Sequence, residues 1–313
     1  MKTGTGTGAR LSIDSGQSGM RLRFAHAAQH LEAETPGVLT DRPVLEQISE
    51  VAHAFTREHA LEITELAAGL SGLTPAAARP GPLLDSVAAL GVRRVAVAHD
   101  SVSGYLAANG DEPGAVLAIG TGVVTLAVTA RGAAKVDGWG SLLGDAGSGY
   151  WIGRAGLDAA LRSYDGRGDA TALAALAVEA FGPLDDLYMR LQGDDRRVSR
   201  IASFARTVVE SAESGDPVAA EIVTAAACEL AHSAAAALAR AGHVDGDPIR
   251  VSAVGGIVRG SAYMRGALVD ALAERGRGEG LAAPLGAPID GVARLLDVSA
   301  QHPLAAMISV ATR

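Results

Sequence analysis

The feature that most constrains the fold is a pattern that occurs twice, with the copies about a hundred residues apart. Residues 11–24 and residues 115–130 each consist of a β-type run, a glycine-rich turn and a second β-type run. Apolar and β-branched residues on both sides of such a turn are typical of β-hairpins. The sequence therefore predicts two similar halves, each of which opens with a hairpin.

Helical and strand patterns alternate after each hairpin. Residues 44–59 have helical periodicity, and residues 92–98 predict a short buried strand that ends at His99-Asp100. Residues 201–241 are Ala-rich and predict two long helices that break at Gly215-Asp216-Pro217, where Asp suits a helix cap and Pro a first turn. This alternation predicts an α/β protein.

Two halves of this kind predict two lobes with a cleft between them. We place the N-terminal lobe at residues 1–108 and the C-terminal lobe at residues 109–313, because a polar stretch follows residue 108. The last helix is expected to pack back on the N-terminal lobe.

Charge and composition exclude several classes of function. The chain has 27 Lys and Arg against 35 Asp and Glu, a net charge of -8, so it lacks the cationic excess that binds nucleic acid or anionic membranes. The single cysteine, Cys228, excludes an intramolecular disulfide and a Cys-ligated zinc site. No apolar stretch follows the first residues, so we expect no signal peptide and a cytoplasmic protein.

The first hairpin turn carries a candidate phosphate site. Asp14 ends a strand and is followed by the small residues of Ser15-Gly16-Gln17-Ser18-Gly19. Such a carboxylate can hold a hydrated Mg²⁺ beside phosphate oxygens, while glycines let backbone N–H groups approach the anion. An Asx-type hairpin turn without a ligand explains the same residues.

Two other positions follow strands. Gly120-Thr121-Gly122 offers a hydroxyl donor between two permissive glycines, although any hairpin can use such a turn. Asp100 ends an apolar strand, where a carboxylate can accept a proton from a substrate hydroxyl or belong to a helix cap.

The most unusual segment of the sequence is residues 138–153, which contains both tryptophans of the chain. Asp145 can hydrogen-bond sugar hydroxyls while a tryptophan such as Trp139 packs on the ring face. Gly255-Gly256 follows a predicted strand, where a flat adenine or ribose can lie close to the backbone. His26 and His30 stand four residues apart and are interpreted as a solvated helix face rather than a metal site.

Taken in order, these motifs resemble the actin-like, sugar kinase and Hsp70 ATPase superfamily. The stretch Gly-Trp-Gly-x-x-Leu-Gly-Asp-x-Gly-Ser at residues 138–148 is similar to the N-acetylglucosamine kinase and BadF/BadG ATPase family. The resemblance runs from about residue 11 to about residue 296. It implies a two-lobed actin-like ATPase (ribonuclease H-like) α/β fold with duplicated lobes, a central cleft and nucleotide bound in that cleft.

The resemblance also implies a role for individual residues. The nucleotide phosphates would face Asp14, Gly16, Gln17, Ser18, Gly120, Thr121 and Gly122. Asp14 would bind Mg²⁺ through water, Asp100 would be the general base, and Gly255 and Gly256 would flank the adenosine. The sugar would contact Asp100, Thr121, Trp139, Gly140 and Asp145.

The implied function is an ATP-dependent amino-sugar kinase that phosphorylates the 6-hydroxyl of N-acetylglucosamine or a related hexosamine. The family pattern is altered here, because Ser15 replaces a glycine, Gly19 a lysine and Met20 a threonine in the first hairpin. A sugar- or nucleotide-sensing protein that no longer transfers phosphate is therefore the alternative. The implied partners are a small sugar and ATP, with neither nucleic acid nor membrane, and a homodimer is common in the family.

Overall fold

Two β-sheets with helices packed on them form the framework of the protein. The computed structural model describes residues 8–16, 19–39, 42–276 and 280–313. Within them the strands are β1 (Arg10–Ser15), β2 (Met20–His26), β3 (Gln29–Thr35), β4 (Glu65–Leu70), β5 (Arg94–His99), β6 (Gly114–Ile119), β7 (Val123–Thr129), β8 (Gly132–Asp137), β9 (Arg250–Val254) and β10 (Ile308–Thr312).

Helices connect these strands as an α/β pattern requires. They are α1 (Val44–Glu58), α2 (Pro80–Ser86), α3 (Asp100–Asn109), α4 (Gly149–Asp165), α5 (Leu173–Phe181), α6 (Leu187–Gln192), α7 (Arg197–Glu213), α8 (Pro217–Arg240), α9 (Gly256–Gly260), α10 (Ala262–Glu274) and α11 (Pro288–Arg294). Short 3₁₀ segments cover Ala88–Leu90, Leu184–Asp186, Leu295–Asp297 and Pro303–Met307.

The chain divides into two compact units. The first consists of Met1–Glu112, Ala130–Ala133 and Pro284–Arg313, and the second of Pro113–Thr129 and Ala134–Ala283. The last thirty residues thus belong to the same unit as the first hairpin, although they are far from it in sequence.

The first unit contains a six-stranded sheet in the order β10-β5-β4-β1-β2-β3. Strands β1, β4 and β5 run parallel, whereas β2, β3 and β10 are antiparallel to their neighbours. Apolar side chains of β1 such as Leu11 and Ile13 pack with α1 in the core, and the alternate residues face α11. Because β1, β4 and β5 are parallel, their C-terminal ends meet at one edge of this sheet.

Glycines allow two helices to pack closely on that second face. A Cβ on Gly69 of β4 would overlap the Ser103 side chain of α3, and a Cβ on Gly291 of α11 would overlap the Ser103 carbonyl oxygen. The absence of these side chains brings α3 and α11 together directly over the middle of the sheet.

The second unit contains a four-stranded sheet in the order β8-β7-β6-β9. Strand β6 pairs with β7 in an antiparallel hairpin and with β9 in parallel. Helices α4, α7, α8 and α10 bury an Ala-, Val- and Leu-rich core against this sheet. With aromatic residues at only 4% of the chain, the core depends on small side chains that let helices approach closely.

The Ala-rich segment has the predicted two-helix form. Helix α7 ends at Glu213, and Asp216 caps α8 by accepting a hydrogen bond from the Ala219 N–H at 3.0 Å. Pro217 occupies the first turn, where no backbone hydrogen bond is lost.

Helix α8 is the one helix among the described residues that is long and apolar enough to cross a membrane by length and composition. Half of its apolar window is buried inside the protein. Core helices of soluble proteins satisfy the same two criteria, so this feature carries little weight.

The interpretation of His26 and His30 as a helix face is wrong. His26 ends β2 and His30 lies in β3, and these strands pair as a hairpin through Ala27 and Ala28. Ala27 adopts a positive φ of 51°, which the turn requires.

Candidate functional site

The first unit places two predicted carboxylates at one edge of its sheet. Asp14 lies next to the end of β1, opposite Gly69 of the neighbouring parallel strand β4. Asp100 begins α3 directly after β5, which pairs with the other side of β4. The carboxyl ends of these three parallel strands thus bring Asp14 and Asp100 close enough for their charges to interact.

The charge on Asp14 is poorly compensated. Burial, followed by the nearby negative charge of Asp100, raises the pKa of Asp14 to about 6, from an ordinary value near 3.8. Arg21 lies opposite Asp14 on β2 and lowers this pKa, but its guanidinium also donates to Glu34 at 2.8 Å. Two carboxylates with so little positive charge beside them form an environment that a cation would stabilise.

The turn after Asp14 is closed by backbone hydrogen bonds. The Gly16 N–H donates to the Gly19 carbonyl at 3.0 Å, and the Gly16 carbonyl accepts from the Val38 N–H at 3.2 Å. The predicted phosphate contacts Gln17 and Ser18 lie outside the described residues.

Sequence reasoning missed a residue beside Asp100. His99 ends β5 and caps α3, and its Nδ1 lies 2.8 Å from Asp100 Oδ1. The only sign in the sequence of its contact with the predicted general base is that the two residues are adjacent. The side chains are 19% exposed for His99 and 37% for Asp100, so the pair is sheltered without being closed off from solvent.

In the second unit, the turn at Gly120-Thr121-Gly122 contacts the start of helix α4. The Gly120 N–H donates to the Gly122 carbonyl at 2.8 Å. The N–H groups of Gly149 and Tyr150 donate at 2.9 Å to the carbonyls of Gly120 and Thr121. The turn is therefore fixed by two different elements of the same unit.

Asp145 is held against this turn. It is only 6% exposed, and a Cβ on Gly122 would overlap its carboxylate. Burial raises the pKa of Asp145, while hydrogen bonds from the backbones of Val123 and Gly140 lower it and the charge of Asp137 raises it. Gly122, in the turn predicted to face phosphate, thus makes room for the carboxylate that is predicted to bind the sugar.

The loop that carries Asp145 is conformationally strained. Asp145 and Asp137 adopt positive φ angles of 60° and 62°, a region that non-glycine residues seldom occupy. Asp137 Oδ1 accepts hydrogen bonds of 2.9 Å from the N–H groups of Gly138 and Asp145, which ties the two ends of the loop together. Asp137 is a second residue that sequence reasoning missed, although it directly precedes the Gly-Trp-Gly motif.

The tryptophan of this loop projects into solvent. Trp139 is 76% exposed, and Leu142 and Leu143 beside it are 91% and 85% exposed. Its predicted packing on a sugar ring stays a prediction.

The diglycine also lies next to the second turn. Gly255 has a φ of 133° and caps α9, and a Cβ there would overlap the carbonyl oxygen of Ile119, which directly precedes Gly120. Apart from its chain neighbours and the backbone of its own helix, no described atom lies within 4 Å of a Cβ on Gly256, so there is open space on that side of the backbone. The second unit therefore brings Gly120-Thr121-Gly122, Asp145 and Gly255 together.

Comparison with known proteins agrees with this geometry. Residues 4–293 match the BadF/BadG/BcrA/BcrD ATPase family. An N-acetylmuramic acid/N-acetylglucosamine kinase of Clostridium acetobutylicum is 31% identical over 150 residues. That alignment covers 47% of this chain and 49% of the kinase, so the chain spans about half the length of the curated relative it matches.

Solved structures share the fold at lower identity. A candidate N-acetylglucosamine kinase of Chromobacterium violaceum superposes with a TM-score of 0.68 at 23% identity, covering 91% of this chain and 97% of that one. A ROK family glucokinase of Streptomyces griseus, solved with glucose and AMPPNP, has a TM-score of 0.54 at 17% identity, covering 92% and 99%. The predicted fold class, the α/β fold of actin-like ATPases and sugar kinases, is confirmed. Since the family match extends over nearly the whole sequence, the chain belongs to the BadF/BadG/BcrA/BcrD ATPase family.

Proposed function

We propose that this protein is an ATP-dependent kinase that transfers the γ-phosphoryl group of ATP to the 6-hydroxyl of N-acetylglucosamine or a related hexosamine. The observation that carries the proposal is the placement of Asp14 and Asp100 at the ends of β1 and β5, on either side of β4, with the pKa of Asp14 raised to about 6. Family membership and the partial match to an N-acetylmuramic acid/N-acetylglucosamine kinase support the same reaction.

Each candidate residue has a role in this reaction. Asp100 accepts the proton of the attacking hydroxyl, because its side chain is partly exposed and it stands at a helix start. Asp145, held by two backbone donors, orients the sugar hydroxyls. Gly120, Thr121 and Gly122, together with Gly16, Gln17 and Ser18, face the phosphates of ATP, and Gly255 and Gly256 flank its adenosine.

The residues of the first unit fit a magnesium ion. Asp14 is the residue that would hold Mg²⁺ through water, because its carboxylate is poorly compensated and lies at the turn predicted to face phosphate. When bound, Mg²⁺ neutralises charge on the transferring phosphoryl group. Asp14 itself would contribute a fixed carboxylate to hydrogen-bond the water bound to such an ion.

A sensing protein that binds sugar without transferring phosphate is the second candidate. The changes at Ser15, Gly19 and Met20 in the first hairpin favour it. We further propose a cytoplasmic homodimer whose ligands are a small sugar and ATP, with neither nucleic acid nor membrane among its partners. Sedimentation of the purified chain tests the dimer.

The deciding experiment is a panel of hexoses and amino sugars with Mg-ATP, in which ADP release is measured. We expect release that depends on N-acetylglucosamine or another hexosamine.

Asp100→Asn should lower kcat by about 10² to 10⁴-fold, since a general base is lost, while calorimetry still detects sugar and ATP binding. The exposed carboxylate Asp158 provides the matched control, Asp158→Asn, which should leave kcat unchanged. Sugar binding without ADP release would favour the sensing protein.

A further inference from the structure

The imidazole of His99 makes more contacts at one nitrogen than that nitrogen can satisfy at once. Nδ1 lies 2.8 Å from Asp100 Oδ1 and 2.9 Å from Ser101 Oγ, and it accepts the Ser101 backbone N–H at 3.1 Å. An imidazole nitrogen carries either one proton or one lone pair. It cannot cap the helix as an acceptor and donate to the carboxylate of Asp100 at the same time.

The conflict has a consequence for Asp100. Two lone pairs facing each other at 2.8 Å repel, so this contact is favourable only when a proton lies between Nδ1 and Oδ1. That proton can belong to the ring, which then donates to the carboxylate, or to the carboxyl group, which then donates to the ring. The ring is therefore in position to share whatever proton Asp100 acquires.

Helix capping alone does not account for a histidine at this position. Ser, Thr, Asn and Asp are the residues that cap helices most effectively. His99 has the extended conformation of a cap, with φ −61° and ψ 144°, so any of those residues would fit its backbone. What the imidazole adds to the cap is a nitrogen basic enough to take up a proton.

We propose that His99 is the positioning residue of the general base: it holds the carboxylate of Asp100 and shares the proton that Asp100 removes from the acceptor hydroxyl. This inference rests on the proposed kinase function. In the step, the O–H bond of the sugar breaks, its oxygen forms a bond to the γ-phosphorus, and the bond from that phosphorus to ADP breaks. The proton passes to Asp100, is shared with His99 across the contact between Oδ1 and Nδ1, and then leaves to solvent from the partly exposed carboxyl group of Asp100.

The charged groups on the surrounding elements are either of the same sign as Asp100 or already ion-paired, so His99 is the residue that can share its proton. Asp14 on β1 faces Asp100 and carries the same sign of charge. On α11, which packs against α3, Asp290 is ion-paired with Arg23, and Arg294 with Asp111. Their charges are already paired, whereas His99 contacts the carboxylate directly.

The test separates capping from proton sharing with two variants. His99→Asn keeps an acceptor for the Ser101 N–H but has no nitrogen that takes up a proton, and His99→Ala loses both functions. We expect His99→Asn to melt within about 2 °C of the wild type and to keep the KM values for sugar and ATP within about twofold, while kcat falls about 10- to 100-fold. His99→Ala should show the same loss of kcat together with a lower Tm. A wild-type kcat in His99→Asn would overturn the proposal.

A spectroscopic measurement keeps this inference distinct from the proposed function. The ¹⁵N chemical shift of His99 Nδ1 reports whether that nitrogen is protonated or engaged with a proton donor. We expect it to change between the wild type and Asp100→Asn at the same pH, and an unchanged shift would refute proton sharing. If the shift changes but no sugar supports ADP release, the proton-sharing pair stands and the kinase assignment fails.

Discussion

At the scale of single residues, the carboxylate of Asp14, which is proposed to act in catalysis, lowers the free energy of unfolding at neutral pH. Folding raises the pKa of this carboxyl group from about 3.8 to about 6, so the native state favours the protonated form. The resulting contribution to the free energy of unfolding is complete below about pH 4 and is lost as the pH rises through 6. The shift corresponds to up to about 3 kcal/mol of unfolding free energy above pH 7. Asp14→Asn should therefore stabilise the protein at pH 8, have little effect near pH 4, and abolish phosphoryl transfer.

Urea denaturation at the two pH values measures this effect. The exposed carboxylate Asp270 offers a control, since Asp270→Asn should change the unfolding free energy by no more than about 0.5 kcal/mol at either pH. An Asp14→Asn variant that is destabilised at pH 8 would contradict the prediction. Greater stability combined with lost activity is the behaviour expected of a residue retained for function.

At this scale, sequence reasoning can locate a residue where its position along a strand decides its surroundings. Asp14 lies near the end of one apolar strand and Asp100 directly follows another, and parallel strands bring such ends together. His99 and Asp137 were not singled out, because their importance depends on the hydrogen bonds that their side chains make. A strand pattern specifies where a residue lies but not which backbone N–H its side chain will accept from.

At the scale of elements, alanine substitutions at Gly255 and Gly256 test packing and ligand binding separately. Gly255→Ala places a methyl group on the Ile119 carbonyl oxygen at a φ of 133°, so it should destabilise the protein by about 3 kcal/mol or more. Gly256→Ala adds a methyl group to the open space at the start of α9, so stability should be kept. If adenosine lies there, the Kd for ATP should rise about tenfold while the KM for the sugar stays constant.

Thermal melting and calorimetry with ATP distinguish the two variants. Equal ATP affinity in Gly256→Ala and the wild type would remove this diglycine from the nucleotide site. Loss of both stability and binding in Gly256→Ala would instead indicate a packing role for that glycine as well.

Several elements were predictable because local chemistry specifies them. Both hairpins and the break before α8 have turn or cap residues that specify the backbone. Strand β3 was not predicted, since its alternating polar residues, with His30, Glu32 and Glu34, resemble a solvated helix face as much as an edge strand. Its identity is decided by pairing with β2, which sequence periodicity does not contain.

At the scale of the whole molecule, the first unit is assembled from both ends of the chain. A sequence pattern indicates elements in order, but the contact between α11 and α3 depends on glycines whose role is visible only when both helices are in place. Arg10 near the start of the chain pairs with Asp297 at 2.7 Å, and it also donates to the Ala293 carbonyl. Strand β10 closes one edge of the sheet by pairing with β5.

These contacts predict the result of deleting Pro284–Arg313. The deletion removes α11 and β10, which uncovers apolar residues of β5 and the face of α3, so the first unit should unfold. The second unit keeps its own sheet and the core around α8, so residues 134–283 should stay folded.

Limited proteolysis with mass spectrometry should show rapid cleavage within residues 1–112 and resistance within residues 134–276. Removal of Arg313 alone, which loses an exposed ion pair with Asp85, should leave the wild-type pattern. Protection of residues 1–112 in the longer deletion would show that the first unit folds without its C-terminal segment, which would contradict the prediction.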